Sequence, residues 1–274
     1  MKRHKRIILK FVSMNKLTKA LKALLQIARK PYLLNLVLNE DSYWESQVAR
    51  KYDGSEGFAQ LSLTTVTGFP TETISPYSFL DGGSLPTDLA LLRGLAKQIK
   101  DCSYFEIGTW RGESVANVSS VAKECITIDL PDEEKLSLGY KQEYISQHAV
   151  YSKHLANVTH LKANSFTFDF ASLNRKFDLV FIDGDHHYDS VLNDTQKVFK
   201  HLVHENTIVV WHDYAYNPEK VRPEVMAAIL DGCPRELHPY LFHVSNTMCA
   251  VMLPNSQLHS EISKQTFKLT ISAK

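Results

Sequence analysis

The chain has few cysteines, no long apolar run and, over its first thirty residues, no acidic side chain. Its four cysteines, Cys102, Cys125, Cys233 and Cys249, lie far apart, with no C-x-x-C pair and no metal-ligand spacing. That excludes a disulfide scaffold or a zinc-finger type of site, and it suits buried, reduced thiols in a cytoplasmic protein. No apolar stretch approaches the roughly 18–20 residues needed to span a bilayer. The start, Lys2 to Lys10 followed by Phe11-Val12-Ser13-Met14, has the outline of a signal peptide. Lys10 interrupts its apolar part and no small-residue cleavage site follows, so the segment reads as retained. Residues 1–30 hold ten of the 31 Lys and Arg, which leaves 21 basic against 30 acidic side chains in the remainder. An acidic body argues against nucleic acid as the substrate.

What is present divides the chain into three. Residues 1–50 read as a basic helical extension, in which Leu17, Leu21, Leu24, Leu25 and Ala28 recur at helical spacing opposite a basic face. Such a helix docks on the main domain or on a second subunit, or it meets an anionic membrane surface. Pro31 stops it, and Tyr32–Leu38 forms a second short apolar segment. Residues 51–84 are rich in Gly, Ser, Thr and Pro, the composition of a long loop, and are expected to be a lid or linker. Residues 85–274 alternate regularly between helical and strand patterns. Expected strands are 104–108, 125–129, 158–162, 177–183, 207–211, 240–244 and 248–253, with helices over 86–99, 113–122, 142–155, 190–202 and 224–230. The last two strands flank Ser245-Asn246-Thr247, a turn short enough for an antiparallel hairpin. The fold class is therefore α/β, a Rossmann-like open and mostly parallel sheet.

In such sheets ligands sit beyond the carboxyl ends of the strands. The first of these strands runs into Glu106-Ile107-Gly108-Thr109-Trp110-Arg111-Gly112-Glu113-Ser114, an E-x-G-x-x-x-G pattern and not the G-x-G-x-x-G of pyrophosphate binders. An acidic side chain at the strand tip suits a cationic ligand, such as an α-amino group or a sulfonium. Asp129 ends the second strand, 23 residues beyond Glu106, where a carboxylate accepts hydrogen bonds from ribose hydroxyls. Asn164 and Ser165 end the third, placed to read an adenine edge. Consecutive strand tips carrying these groups in this order point to S-adenosyl-L-methionine, with Glu106, Gly108, Thr109, Trp110, Gly112, Ser114, Asp129, Asn164, Ser165 and Asp183 as candidate cofactor contacts.

Residues 80–255 resemble class I methyltransferases. The run Phe181-Ile182-Asp183-Gly184-Asp185-His186-His187-Tyr188 resembles a subgroup of small-molecule O-methyltransferases of sugars and macrolide glycosides, together with cephalosporin-hydroxylase-like proteins. The resemblance implies seven strands in the order 3-2-1-4-5-7-6. It also implies a D-x-x-H histidine acting as general base on the acceptor hydroxyl, which makes His186 the candidate base beside Asp183. An imidazole titrates near neutral pH and suits that task. Many members of the subgroup hold Mg2+ between this strand end and the next, which here reads Trp211-His212-Asp213-Tyr214. Asp183, His212 and Asp213 are thus candidate metal ligands. His212 stands where a carboxylate is usual, which leaves room for Mn2+ or for no metal. The expected activity is methyl transfer to a hydroxyl of a small molecule, a sugar or glycosylated metabolite, by a cytoplasmic enzyme that is peripheral to a membrane or homo-oligomeric. Two rivals stand beside it: a metal-dependent oxygenase using His186, His212 and Asp213, and a non-catalytic cofactor-binding partner subunit.

Overall fold

A computed structural model describes residues 15–30, 33, 40–52, 56–80, 82–254 and 268–273. The chain divides into two compact units, residues 1–42 and 43–274. The first contains helix α1 (Lys16–Arg29), capped by the Asn15 carboxamide oxygen, which accepts from the Thr18 amide at 2.8 Å. The Tyr32–Leu38 segment lies outside the described residues apart from Leu33.

The second unit begins inside α2 (Asp41–Lys51), continues through β1 (Ala59–Leu61), α3 (Leu63–Thr67) and β2 (Thr71–Tyr77), and reaches α4 (Pro86–Gln98). There follow β3 (Ser103–Ile107), α5 (Glu113–Ser119), β4 (Glu124–Asp129), α6 (Asp132–Ser137), α7 (Gln142–Ile145) and β5 (Val158–Lys162). The chain then forms β6 (Leu179–Ile182), α8 (Tyr188–His201), β7 (Ile208–Trp211), β8 (Ala215–Asn217), β9 (Lys220–Val221), α9 (Pro223–Gly232), β10 (Leu241–Val244), β11 (Ala250–Met252) and β12 (Lys268–Ala273).

Eight strands form the main sheet in the order β1-β10-β11-β7-β6-β3-β4-β5. Strands β3 to β7 are parallel, while β11 runs antiparallel to both β7 and β10. Counted from β3, seven of them follow the order 3-2-1-4-5-7-6, and β1 adds an eighth at the edge. The sheet is buried on both faces, so its central strands are almost purely apolar. Tyr104, Leu179, Phe181, Ile208 and Val210 pack under α4 with Leu89, Leu92 and Leu95. Phe105, Val180, Ile182, Val209 and Trp211 point the other way, against Val191, Val198, Val225 and Ile229 of α8 and α9.

Three expectations are corrected. The boundary at residue 50 falls instead near 42, because Val48 of α2 is buried in the main core and Trp44 stacks on Tyr188 at 4.5 Å. The 51–84 segment is not simply a lid. It contributes β1, α3 and β2, whose Thr71–Tyr77 run buries alternate residues and pairs in parallel with β12. Among the described residues, 78–80 and 82–85 lie outside helix and strand, and Phe79 and Leu80 there are exposed. The helix expected over 142–155 shortens to α7, and α6 precedes it. Among the described residues no helix is long and apolar enough to cross a membrane. All four cysteines are buried and unpaired.

Candidate functional site

The parallel register brings the strand ends to one edge. Ile107 pairs with Ile128 and Ile182, Ile182 with Trp211, and Asp129 with Lys162. One step further along each strand stand Gly108, Ala163, Asp183 and His212, in a row at the carboxyl end of the sheet. Gly108 must be glycine. Its φ is +104°, and a Cβ there would meet the Asp183 carbonyl oxygen at 1.9 Å. Gly112 (φ +80°) is equally constrained, because a Cβ would lie 2.1 Å from Ser152 Oγ. Gly108 lets the turn after β3 pass close under the tip of β6, and Gly112 lets the same turn press against Ser152.

Several predicted contacts face inward and not into the cleft. Glu106 is fully buried. Its carboxyl accepts from the Tyr104 hydroxyl at 2.6 Å and the Thr127 hydroxyl at 3.0 Å, and Ser114 is a third hydroxyl partner. Burial pushes this carboxyl up to about 8, against the lowering effect of those hydroxyls, so near neutral pH it keeps its proton. The Thr109 hydroxyl bonds Thr127 at 2.6 Å. Glu106, Thr109 and Ser114 therefore form a hydroxyl network beneath the first-strand turn, which corrects the expectation that Glu106 meets a cation directly.

Asp129 does reach the cleft edge, but its carboxylate has protein partners. Oδ1 accepts from the Leu130 amide, while Oδ2 accepts from Lys135 Nζ at 2.5 Å and faces His148 Nδ1 at 2.8 Å. Burial alone would raise it, yet His148 and Lys135 hold it below the usual carboxylate range. The link of His148 to Asp129 spans nineteen residues and gives no local signal. Asn164 bridges Glu134 (2.7 Å) and the Phe166 amide (2.9 Å). Ser165 gives its carbonyl to Lys197.

Trp110, in the first-strand turn with φ +36°, stacks on Tyr144 at 5.2 Å, and the Arg111 guanidinium lies 4.0 Å from the centre of the Trp110 ring. Tyr144 in turn stacks on Tyr140 at 4.9 Å. These aromatics wall a cavity of about 500 Å3, completed by Leu80, Arg111, Lys141, Glu143 and Gln147. Its volume, and its lining by Trp110 and Arg111 of the first-strand turn, suit a nucleoside-sized ligand or an acceptor held against one.

At the tips of β6 and β7 the chemistry tightens. A much smaller cavity, about 10 Å3, lies among Asp183, Asp185, His186, His212 and Asp213. His212 is buried between three carboxylates. Its Nε2 lies 3.1 Å from Asp88 Oδ2, and its Nδ1 lies 3.0 Å from Asp183 Oδ1 and 3.4 Å from Asp213 Oδ2. At Nδ1 the angles do not make a hydrogen bond, so this ring nitrogen is a buried polar atom facing two carboxylate oxygens with no proper partner. Burial opposes a charge on His212, but the carboxylates of Asp183, Asp213 and Asp88 lift it well above the usual imidazole range. Asp213 is carried down to about 2, since His212 and Arg222 outweigh burial. Asp183 is raised, chiefly by burial.

Asp183, His212 and Asp213 offer ligand atoms within 4.8 Å of one another, the spacing of a shared ion. The orphaned Nδ1 and two hard oxygens fit a divalent cation, with the imidazole favouring Mn2+ or a later metal over Mg2+. Asp88, on α4 and more than a hundred residues away in sequence, was missed. It takes the far ring nitrogen, as the outer partner of a metal-binding histidine does. His186 stands at the rim, 48% exposed, with Nδ1 3.8 Å from Asp213 Oδ2. Burial and Arg222 lower it below the usual imidazole range, against the pull of Asp213 and Asp185. His187 turns aside to Asp185 at 2.5 Å. Arg222 reaches Asp213 at 3.9 Å, while its Nε and Nη1 are buried without a hydrogen-bond partner. The set needed for an oxygenase is not gathered: among the described residues His186 groups with Asp185 and His187, and not with His212 and Asp213.

The methyltransferase domain family matches residues 105–214, from the start of the first-strand motif to just past Asp213. An uncharacterized protein, R132, of Acanthamoeba polyphaga mimivirus is 30% identical over 167 residues, 56% of this chain and 72% of its own. Among solved structures, the S-adenosylhomocysteine-bound methyltransferase PaMTH1 of Podospora anserina is 12% identical, with 88% of this chain and 97% of that one covered at a TM-score of 0.45. CalS11, a TDP-rhamnose 3'-O-methyltransferase of calicheamicin biosynthesis, is also 12% identical, with 62% and 78% covered at a TM-score of 0.42. The chain belongs to the class I, S-adenosylmethionine-dependent methyltransferases.

Proposed function

We propose that this methyltransferase methylates a hydroxyl group of a small polyhydroxylated molecule, a sugar or glycosylated metabolite, with His186 as the base and a divalent cation at Asp183, His212 and Asp213. The observation that carries this reading is the convergence of His186, Asp183, His212 and Asp213 at adjoining strand tips beside the Gly108 turn. The bound cofactor supplies an electrophilic methyl group on a sulfonium. What remains for the protein is to aim an acceptor oxygen at that methyl and to take its proton.

His186 suits the proton-transfer task. Its lowered affinity for protons keeps the ring neutral near pH 7, and its exposed edge faces the cleft. Asp213 sits behind the ring and stabilises the imidazolium that forms. A cation on Asp183, His212 and Asp213 would supply Lewis acidity for the developing alkoxide. The walls of the larger cavity support a polyhydroxylated acceptor. The Trp110, Tyr144 and Tyr140 faces cover the C–H face of a ring, and Lys141, Glu143 and Gln147 offer donors and acceptors to its hydroxyls.

The test measures transfer of labelled methyl to a panel of sugars and glycosides, with and without chelator, in wild type and His186→Ala. The expected outcome is a drop in kcat of roughly 10²–10⁴-fold in the variant with cofactor affinity unchanged. Chelation should silence the wild type and added Mn2+ should restore it. Full turnover in chelator removes the metal from the reading, near-normal kcat in His186→Ala removes the base, and methylation of amines or thiols alone removes the hydroxyl acceptor.

A further inference from the structure

We propose that α1 docks the protein on an anionic lipid surface. No residue of this helix is buried, and Leu17, Leu21, Leu24 and Leu25 are 70%, 60%, 63% and 53% exposed. At positions i, i+4, i+7 and i+8 the four leucines form one stripe along the helix. Lys16, Lys19, Lys22 and Arg29 project from the remaining arc, with Lys22 and Arg29 bordering the stripe on one side and Lys16 approaching it on the other. The helix carries no acid, and neither does any other position among residues 1–30, where ten side chains are basic.

Three occupants compete for such a face, and charge decides among them. A second copy of α1 would cover the leucines but would bring the same cations against these, with no acid to offset them. A nucleic acid would satisfy the cations and leave the leucine stripe in water. An anionic bilayer surface satisfies both: the leucines enter the acyl boundary, while the lysine stems lie along it with their ammonium groups among the headgroups. At fourteen residues the helix is about 21 Å long, too short and too charged to span, so it lies in the plane of the interface. It is also held by a local cap. Asn15 accepts from the Thr18 amide and hydroxyl, and the Lys30 amide closes on Gln26 and Ile27, so both helix ends are capped within the segment itself. The acidic remainder of the chain repels the same surface, but beyond about 8 Å that repulsion is screened at physiological salt.

The experiment is sedimentation of the full chain with vesicles of phosphatidylcholine alone and of phosphatidylcholine with phosphatidylserine, at low and high salt. The proposal expects binding to the second only, and release at high salt. Lys16→Gln, Lys19→Gln and Lys22→Gln together should weaken the partition roughly a hundredfold, at about fivefold for each charge removed near the surface. Leu21→Glu with Leu25→Glu should abolish it while leaving the thermal unfolding of the protein in place. Equal binding to neutral vesicles, no binding to either kind, or binding that survives the leucine substitutions overturns the proposal. So does an α1-dependent shift of an RNA oligomer, or an α1-dependent dimer, in a protein that ignores vesicles.

Discussion

A carboxylate at the third position of a helix usually closes only its own first turn. Asp88 does this, accepting from the Leu85 amide at 2.7 Å, and it does two further things. Oδ1 accepts from the Met248 amide at 2.8 Å, and Oδ2 receives His212 Nε2 at 3.1 Å. It therefore pins α4, the approach to β11 and the imidazole at the β7 tip with one fully buried side chain. Holding the proton on Nε2 leaves Nδ1 to Asp183 and Asp213. Asp88→Ala strands all three donors in the core and should cost about 3–5 kcal/mol. Asp88→Asn keeps the shape, but its amide can present N–H where the imidazole needs an acceptor. It should lose turnover at least tenfold for a smaller loss of stability. Urea unfolding and methyl transfer, measured on both variants, check this. An alanine variant as stable as wild type would show that the contacts at Asp88 hold nothing together. At this scale the sequence was least informative. Glu106, Asp129, Asp183, His186 and His212 stand out as residue types at strand ends, but Asp88, His148 and Arg222 come from elements whose nearness to the site only the folded chain provides.

Among the elements, those with period or punctuation in their favour were legible. Helix α4 announces itself by Pro86 and its leucine stripe, and β6 by an unbroken apolar run. Strand β2 carries an equally clear alternation, but its Thr, Ser and Pro content reads as loop. Its partner β12 arrives from nearly two hundred residues away. Helix α2 is polar over most of its length, so its packing rests on few residues: Val48 in the core, Trp44 on Tyr188, and Lys51 paired to Asp231. Asp231 collects Lys51, Tyr52 and Tyr188 and so ties α2 to α8 and α9. Removing the aromatic half of that clasp should show how firmly α2 belongs to the second unit. Trp44→Ala is expected to lower stability by about 2–3 kcal/mol, from lost area and stacking on Tyr188. Denaturation within a few tenths of wild type would mean that α2 merely rests on the surface.

For the whole molecule, proton linkage joins the site to stability, and two sets of buried carboxyls work in opposite directions. Glu72, between Arg93 at 2.8 Å and Lys97 at 2.9 Å, is held below its usual range despite burial, and so is Asp129. Their folded values lie below the unfolded ones, so the stability they contribute is present above the unfolded value. It is lost as pH falls through the folded one. Glu106 and Asp194 are opposite cases, raised by burial to about 8 and about 6. Between the unfolded value, near 4.5 for Glu106 and near 3.8 for Asp194, and the folded one, the native state holds a proton that the unfolded chain has released. Stability therefore declines as pH rises through that window. For Glu106 the decline spans roughly pH 4.5 to 8, and for Asp194 it ends near 6. Above pH 6 the slope is shared by Glu106 and by His212, whose raised value likewise makes stability fall as pH climbs past the ordinary imidazole range. Glu106→Gln can retain hydrogen bonds to Tyr104, Ser114 and Thr127 with no proton to lose, so it should flatten the fall between pH 6 and 8, a difference on the order of a few kcal/mol. Urea titrations of both proteins at half-unit steps from pH 5 to 8.5 measure it. Parallel curves for wild type and variant would mean that Glu106 is already ionised in the native state, and the network beneath the Gly108 turn would then have to hold a charge and not a neutral acid.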